Sequence, residues 1–179
     1  NVNFTIMTHD FVSSVFLNRY NELINSSGSV KLGNNIYIGR DVTILKGVSI
    51  GDNCIIGLGS VVTSDIPSDS VAVGTPAQVI CSIDEYFSRR KSLCLEEAFE
   101  YARSIRQNFG REPQVEDFWE EFPHFVSGNK VDCYPTLPIK RQLGKAYNHY
   151  REHHKAPFDS FEDFLAVAFS AEATKTLDK

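Results

Sequence analysis

From Leu32 onward an aliphatic residue recurs at every sixth position: Leu32, Ile38, Ile44, Ile50, Ile56 and Val62. If about one residue in five is Leu, Ile or Val, chance gives such a run roughly once in ten thousand trials. Two positions before each stands another residue suited to an interior: Val30, Ile36, Val42, Val48, Cys54 and Ser60. The units read "IYI-GRD", "VTI-LKG", "VSI-GDN", "CII-GLG" and "SVV-TSD". Each is a short strand with alternate side chains on one face, then a corner rich in Gly, Asp and Asn, residues that tolerate the positive φ of tight turns. Six is not a multiple of 3.6, so a helix does not hold this pattern. Equal short strands between equal corners predict a β-solenoid, each rung burying its aliphatic side chains against a neighbour about 4.8 Å away.

Composition narrows the partners. A net charge of -5 and a pI near 5.5 argue against a duplex-binding surface, so no nucleic-acid partner is expected. No run of 18 apolar residues appears, and no membrane span is expected. The first residue is Asn rather than Met, which predicts that N-terminal coils are missing. The cysteines, Cys54, Cys81, Cys94 and Cys133, form no CxxC pair. A disulfide framework or structural zinc site is therefore not expected, and a reducing cytoplasm is the simplest location.

The stretch "IYIGRDVTILKGVSIGDNCIIGLGSVVTSDIPSDSVAVGTPAQVI" closely resembles the C-terminal coils of the hexapeptide-repeat acyltransferases, and its ending is the specific part. The resemblance covers residues 1–81 and implies a left-handed parallel β-helix with three hexapeptides per turn. Residues 82–179 lie outside it and are expected to form an α-helical C-terminal extension.

Within that family the sugar, maltose and xenobiotic O-acetyltransferases end a coil in a Thr-His pair, follow it with an extended loop, and then resume the repeat. Thr8-His9, a loop over residues 10–29 and "VKLGNNIYIGRDVTI" match this order. By that resemblance His9 is the catalytic base. The chemistry agrees independently: moving an acetyl group from a thioester to an alcohol needs a group that removes the hydroxyl proton, and neutral imidazole does this near neutral pH. Backbone N–H groups suit the oxyanion. No covalent enzyme intermediate is required. His9 is the one histidine of the repeat region, which argues against a metal-dependent enzyme of this fold needing three His ligands. Such a base is commonly oriented through its second ring nitrogen; Asp10, Glu22 and a backbone carbonyl are the candidates. Asp10 also reads as a turn-capping residue. Asn3, upstream on the same coil, is a candidate contact to the acceptor sugar and equally a ladder-forming corner residue.

The resemblance further implies acetyl-CoA as co-substrate, lying along the outside of the coils between subunits of a homotrimer. Small residues at Gly57, Gly59, Ser60 and Gly74 would let backbone approach the pantetheine arm, or simply make corners. "GTPA", with Gly74, Thr75 and Pro76, resembles the family's terminal segment near the adenosine. The family's basic residues after "VVT" and after "GxPA" are replaced by Ser64 and Gln78. Arg40, Lys46, Arg89 and Arg90 are possible substitutes for the phosphate contacts.

After Ile80 helical spacing takes over. Leu95, Phe99, Ala102, Ile105 and Phe109 form one stripe closed by Gly110. "VEDFWEEF" predicts a short helix stopped at Pro123. Ile139, Leu143, Tyr147 and Tyr150 predict a third helix, and Ser160-Phe-Glu-Asp163 reads as a capping box opening a fourth. Aromatic residues concentrate here and suit packing better than a sugar site. His149 and His153 sit at i, i+4 spacing with His154 beside them, but a solvated face fits better than a metal site, since no carboxylate lies in register. Two function classes follow: an acetyl-CoA-dependent O-acetyltransferase acting on a sugar hydroxyl of a surface polysaccharide or its precursor, or a non-catalytic β-helix that serves as a scaffold or the trailing domain of a larger enzyme. The Thr8-His9 pair with its long loop favours the first.

Overall fold

The computed structural model describes residues 3–175, with side chains to Ser170. The chain divides into two compact units, Asn1–Arg90 and Lys91–Lys179.

In the first unit the period of six becomes a period of eighteen in space. Strands β1 (Phe4–Ile6), β6 (Val42–Ile44) and β9 (Val61–Val62) stack in parallel on one face, with Ile6 over Ile44 and Ile44 over Val62. Strands β4 (Lys31–Leu32) and β7 (Ser49–Ile50) stack on a second, with Leu32 over Ile50. On the third, β5 (Tyr37–Ile38), β8 (Ile55–Ile56) and β10 (Ser70–Gly74) run in parallel, and β11 (Ala77–Ser82) closes the edge antiparallel to β10. Leu32 to Ile50, Ile38 to Ile56 and Ile44 to Val62 are each three hexapeptides, one full coil. The next step is shorter: Ile50 bridges to Ile66, and Ile56 pairs with Ala72.

The corners explain why the chain keeps turning. Asn35, Asp41, Gly47, Asn53 and Gly59 all have φ between 55 and 83°, and they recur at every sixth position. Each is Asn, Asp or Gly, the residues that occupy the left-handed region at least cost. Side chains tie corners on successive coils: Asn35 Nδ2 donates to Asn53 Oδ1 at 2.9 Å, and Asn53 Nδ2 to Asp69 Oδ1 at 2.9 Å. Inside the coil Val42, Ile44, Val48, Ile50, Cys54, Ile56, Val62, Ile66, Ala72 and Ala77 form the core. Leu32 is 41% exposed, and Val30, Ile36 and Ile38 are only partly buried. Those residues lie in the first rung of their faces, where described strands pair on one side only.

The segment 10–29 is not the plain loop expected from its lack of pattern. It contains strand β2 (His9–Asp10), helix α1 (Ser13–Tyr20) and strand β3 (Ser26–Ser27), with β2 antiparallel to β3. Asn21, at φ 57°, caps the helix and donates its N–H to Leu17 O at 3.1 Å. Eight residues are too few for a helical period to show against background.

Helix α2 (Ile83–Phe109) begins where the coils end and stops at Gly110, which has φ 62°. In the second unit its residues Ala98, Phe99, Ala102 and Ile105 join a core with Phe118, Phe122, Phe125, Phe161 and Phe164. Ring centroids of Phe118 lie 5.2 Å from Phe161 and 5.5 Å from Phe164. These phenylalanines are thus interior packing, whereas Phe109, expected on the same stripe of α2, is 71% exposed and Trp119 is 47% exposed. Two expected helices differ. "VEDFWEEF" forms two single 3-10 turns, Val115–Phe118 and Phe122–His124, and Pro123 lies inside the second rather than ending a helix. The expected third helix is broken at Gly144, whose φ of 50° interrupts it, leaving α3 (Ile139–Leu143) and α4 (Tyr147–His153). Helix α5 (Phe161–Lys175) opens on half of the expected box: Asp163 N–H donates to Ser160 Oγ at 3.1 Å, while the Asp163 carboxylate accepts from the Ser160 hydroxyl at 2.9 Å in place of the backbone N–H that a full box uses.

Candidate active site

The first coil leaves its regular path just before the histidine. Met7 N–H still donates to Ile44 O at 2.8 Å, so Met7 is on the rung. The chain then lifts off into β2, pairs His9 with Ser27 and Asp10 with Ser26, and returns to the coil where Gly47 N–H meets Ser29 O at 2.9 Å. The alternating strand therefore ends at His9 because the backbone exchanges a parallel rung for a two-residue antiparallel ladder standing outside the coil.

At this departure a cleft of about 160 Å³ is lined by Met7, His9, Asp10, Leu45, Lys46 and Thr63. Leu45 N–H donates to Val62 O at 3.0 Å, so the floor is built from successive coils. His9 is exposed. Its Nδ1 lies 3.4 Å from Thr8 Oγ1, and its ring meets Phe11 edge-on at 6.3 Å. Asp10 has other partners. Its Oδ2 accepts from Lys46 Nζ and, at 3.2 Å, from Ser26 Oγ, while Oδ1 accepts from Val12 N–H at 3.2 Å. The Lys46 ammonium, then the Val12 amide, hold the Asp10 carboxyl below the usual carboxylate range. Lys46 Nζ also donates to Ser26 Oγ, closing a triangle of side chains.

These placements revise the expected orienting group. The Asp10 carboxylate turns to Lys46 and Ser26, Glu22 is exposed, and among the described residues no carboxylate bonds either ring nitrogen of His9. Asn3 lies at a corner with φ 102°, its carbonyl accepting from Asp41 N–H at 2.7 Å, and it does not line the cleft. Lys46, Ser26 and Thr63 are site residues that sequence reasoning did not assign there. Thr63 follows from the register, eighteen residues after Leu45, but nothing local marks the other two.

The residues expected near the co-substrate come together at a second place on the coils. Ser60 Oγ donates to Gly57 O at 2.7 Å and accepts from Gly74 N–H at 3.1 Å, and Thr75 Oγ1 donates to Gly59 O at 3.4 Å. The Thr75-Pro76 peptide bond is cis. A Cβ at Gly57 would lie 2.6 Å from Val73 Cγ1, so a larger residue there would require the Val73 side chain to shift, and packing by itself favours glycine. At Gly59 a Cβ would meet nothing within 4 Å; its φ of 66° is what selects glycine, and the space beside it is open. Ser60 is fully buried with its hydroxyl satisfied, so it builds the corner. Of the basic residues, Lys46 is committed to Asp10 and Ser26, Arg89 lies over the Tyr86 ring, and Arg90 has a partner. Arg40 is tied to the corner through its carbonyl, which accepts from Gly59 N–H at 2.8 Å.

In the second unit His149 and His153 stack at 4.4 Å, His153 Nδ1 lies 3.0 Å from His149 O, and His154 Nε2 lies 2.7 Å from Pro123 O. Among the described residues no three His, Cys, Asp or Glu side chains come together as a metal site, and no helix is long and apolar enough to cross a membrane.

Residues 29–64 match the family model "Bacterial transferase hexapeptide (six repeats)". The galactoside O-acetyltransferase of Escherichia coli (strain K12) is 52% identical over 56 residues, 31% of this chain and 28% of that protein. A maltose O-acetyltransferase from Clostridium difficile 630 is 44% identical in a structural match that covers 43% of this chain and 40% of that one, at a TM-score of 0.38. A galactoside acetyltransferase in complex with coenzyme A is 40% identical over 50% of this chain and 42% of that one, at a TM-score of 0.41. The chain spans about a third of the length of the curated relatives it matches. Residues 29–64 are therefore similar to the bacterial transferase hexapeptide repeat, within a chain that carries further coils and a helical unit outside that match.

Proposed function

We propose that this protein is an acetyl-CoA-dependent O-acetyltransferase in which His9 is the base. The observation that carries the reading is the exposed His9 in a cleft where the coil opens, on coils like those of sugar O-acetyltransferases. An acceptor hydroxyl oxygen attacks the thioester carbonyl carbon while an imidazole nitrogen takes its proton. The tetrahedral intermediate expels the CoA sulfur, the C–S bond breaks, and the imidazolium returns the proton to the thiolate. With Nδ1 beside Thr8, Nε2 is the nitrogen left for this task.

The acceptor class is a sugar hydroxyl, of a surface polysaccharide or its precursor, by analogy with the galactoside and maltose enzymes. The corner formed by Gly57, Gly59, Gly74, Thr75 and Pro76 is the place for the pantetheine and adenosine, with the open space beside Gly59 as the point of close approach and Arg40, whose carbonyl accepts from Gly59 N–H, as a basic residue tied to that corner through its backbone. A left-handed coil and assembly as a homotrimer belong to the same reading. Phe4, Ile6, Tyr37 and Leu58 leave apolar surface exposed on the first unit, enough to favour burial against other subunits. The cytoplasm suits four unpaired cysteines.

The test compares turnover and calorimetric acetyl-CoA binding on the same preparations. His9→Ala is expected to slow transfer by about a hundredfold to ten-thousandfold while leaving fold and acetyl-CoA affinity nearly intact. A variant that folds, binds acetyl-CoA and transfers at the wild-type rate refutes the mechanism. If neither protein binds acetyl-CoA, the scaffold reading replaces it.

A further inference from the structure

We infer that Lys46 is a positioning residue for His9, holding both the geometry and the charge of the hairpin that carries it; this rests on His9 being the base.

The hairpin needs an anchor. Strands β2 and β3 contribute only two paired residues each, and a two-stranded ladder of that size is not stable alone in water. Backbone bonds fix its root on the coil, where Met7 N–H donates to Ile44 O at 2.8 Å and Gly47 N–H to Ser29 O at 2.9 Å, and Gly28 N–H donates to Thr8 O at 2.9 Å between the strands. Beyond that root, among the described residues, the side chain that bonds β2 and β3 to the coils is Lys46. Its ammonium reaches Asp10 on one strand and Ser26 directly opposite on the other, and Ser26 Oγ bonds Asp10 in turn. Lys46 rises from the corner after β6, just before Gly47, so one residue of the rigid coil grips both strands beside His9. The Lys46 and Asp10 side chains are 29% and 32% exposed, so water screens the pair only in part.

The second effect is electrostatic. Asp10 and Lys46 are the charged groups that line the cleft with His9. An unpaired carboxylate one residue from an imidazole favours the imidazolium, the form that accepts no proton. Lys46 cancels that charge where it arises. Arginine would keep the charge and reach both partners; a methionine of similar length keeps neither function.

The experiment follows the His9 ring by NMR across pH, assigned against His9→Ala, together with kcat and the KM for acetyl-CoA. For Lys46→Met the ring midpoint and the acid limb of the pH–rate profile are expected to move up by about 0.5–1 pH unit. kcat is expected to fall about tenfold with KM for acetyl-CoA nearly unchanged, and Lys46→Arg should recover most of the loss. In Asp10→Asn/Lys46→Met the midpoint should return toward wild type while kcat stays low, because charge is restored and the grip is not. Asp10→Asn alone should lower the midpoint, a second reading should Lys46→Met fail to fold. A ring midpoint that is the same in Lys46→Met and wild type, or unmoved in Asp10→Asn, overturns the inference. The ring titration needs no substrate: if it moves as described while wild type transfers no acetyl group to any acceptor, the Lys46 assignment stands and the acetyltransferase reading falls.

Discussion

Ser60 and Gly74, fourteen residues apart, are joined by a hydrogen bond of 3.1 Å from the Gly74 N–H to the Ser60 hydroxyl, which also donates to Gly57 O at 2.7 Å. One buried oxygen thus holds two turns of the chain together. Ser60→Ala removes both bonds and leaves a donor and an acceptor without their partner. Thermal unfolding should show a loss of about 1–3 kcal/mol. If this corner also receives the co-substrate, KM for acetyl-CoA rises in the same variant while kcat changes little. A wild-type melting temperature would show that the corner does not depend on the hydroxyl.

Ile50 lies between Leu32 and Ile66 on successive rungs and is 2% exposed. Ile50→Asp buries a charge among the apolar side chains of the coil core, at a cost of several kcal/mol. Ile50→Ala, which leaves a cavity, should cost about 2–5 kcal/mol. Denaturant unfolding of the two variants separates these effects. An unchanged midpoint for Ile50→Asp would mean the eighteen-residue register is wrong.

The coils were legible because their period checks itself: once Ile44, Ile50 and Ile56 are seen to recur, the inward residues, the corners and the partner one coil away all follow. The period says nothing about ends, which is why Leu32 reads as core and is half exposed. Departures from the period were harder. Helix α1 has eight residues and no fully buried one, so its sequence carries no stripe. Gly144 carries no break signal in the pattern, because the apolar residues on either side keep helical spacing across it, although its backbone breaks the helix. His9 is marked by its resemblance to a motif, whereas the Lys46–Asp10 pair spans 36 positions and neither residue marks the other. Contacts made by a segment that leaves the repeat depend on where it lands, and that information lies in the fold alone.

Exposed Phe4, Ile6, Tyr37 and Leu58 lead to a prediction about assembly. Multi-angle light scattering should give three times the 20.1 kDa chain mass. Leu58→Lys, at a side chain 82% exposed in the single chain, should shift the mass toward monomer without lowering helix or strand content. A monomeric mass for catalytically active wild type would remove the trimer from the proposal.

Tyr150 gives the second unit a dependence on alkaline pH. Its hydroxyl donates to Val126 O at 2.6 Å in a buried setting, and burial pushes the phenol well above its ordinary range. The folded state therefore holds the Tyr150 proton more tightly than the unfolded chain does. Its contribution is fully present below the unfolded phenol value of about 10 and is lost as pH rises beyond it toward the folded value. Tyrosinate absorbance should show one phenol of this unit ionising only with unfolding, and unfolding free energy should decline above about pH 10. Tyr150→Phe removes the titrating group and the bond to Val126 O together. It should be about 1–2 kcal/mol less stable at neutral pH and lose less on the way to high pH. Equal alkaline slopes for the two proteins would assign the loss to other groups, with Tyr101 and Tyr134, also raised by burial, the next to replace.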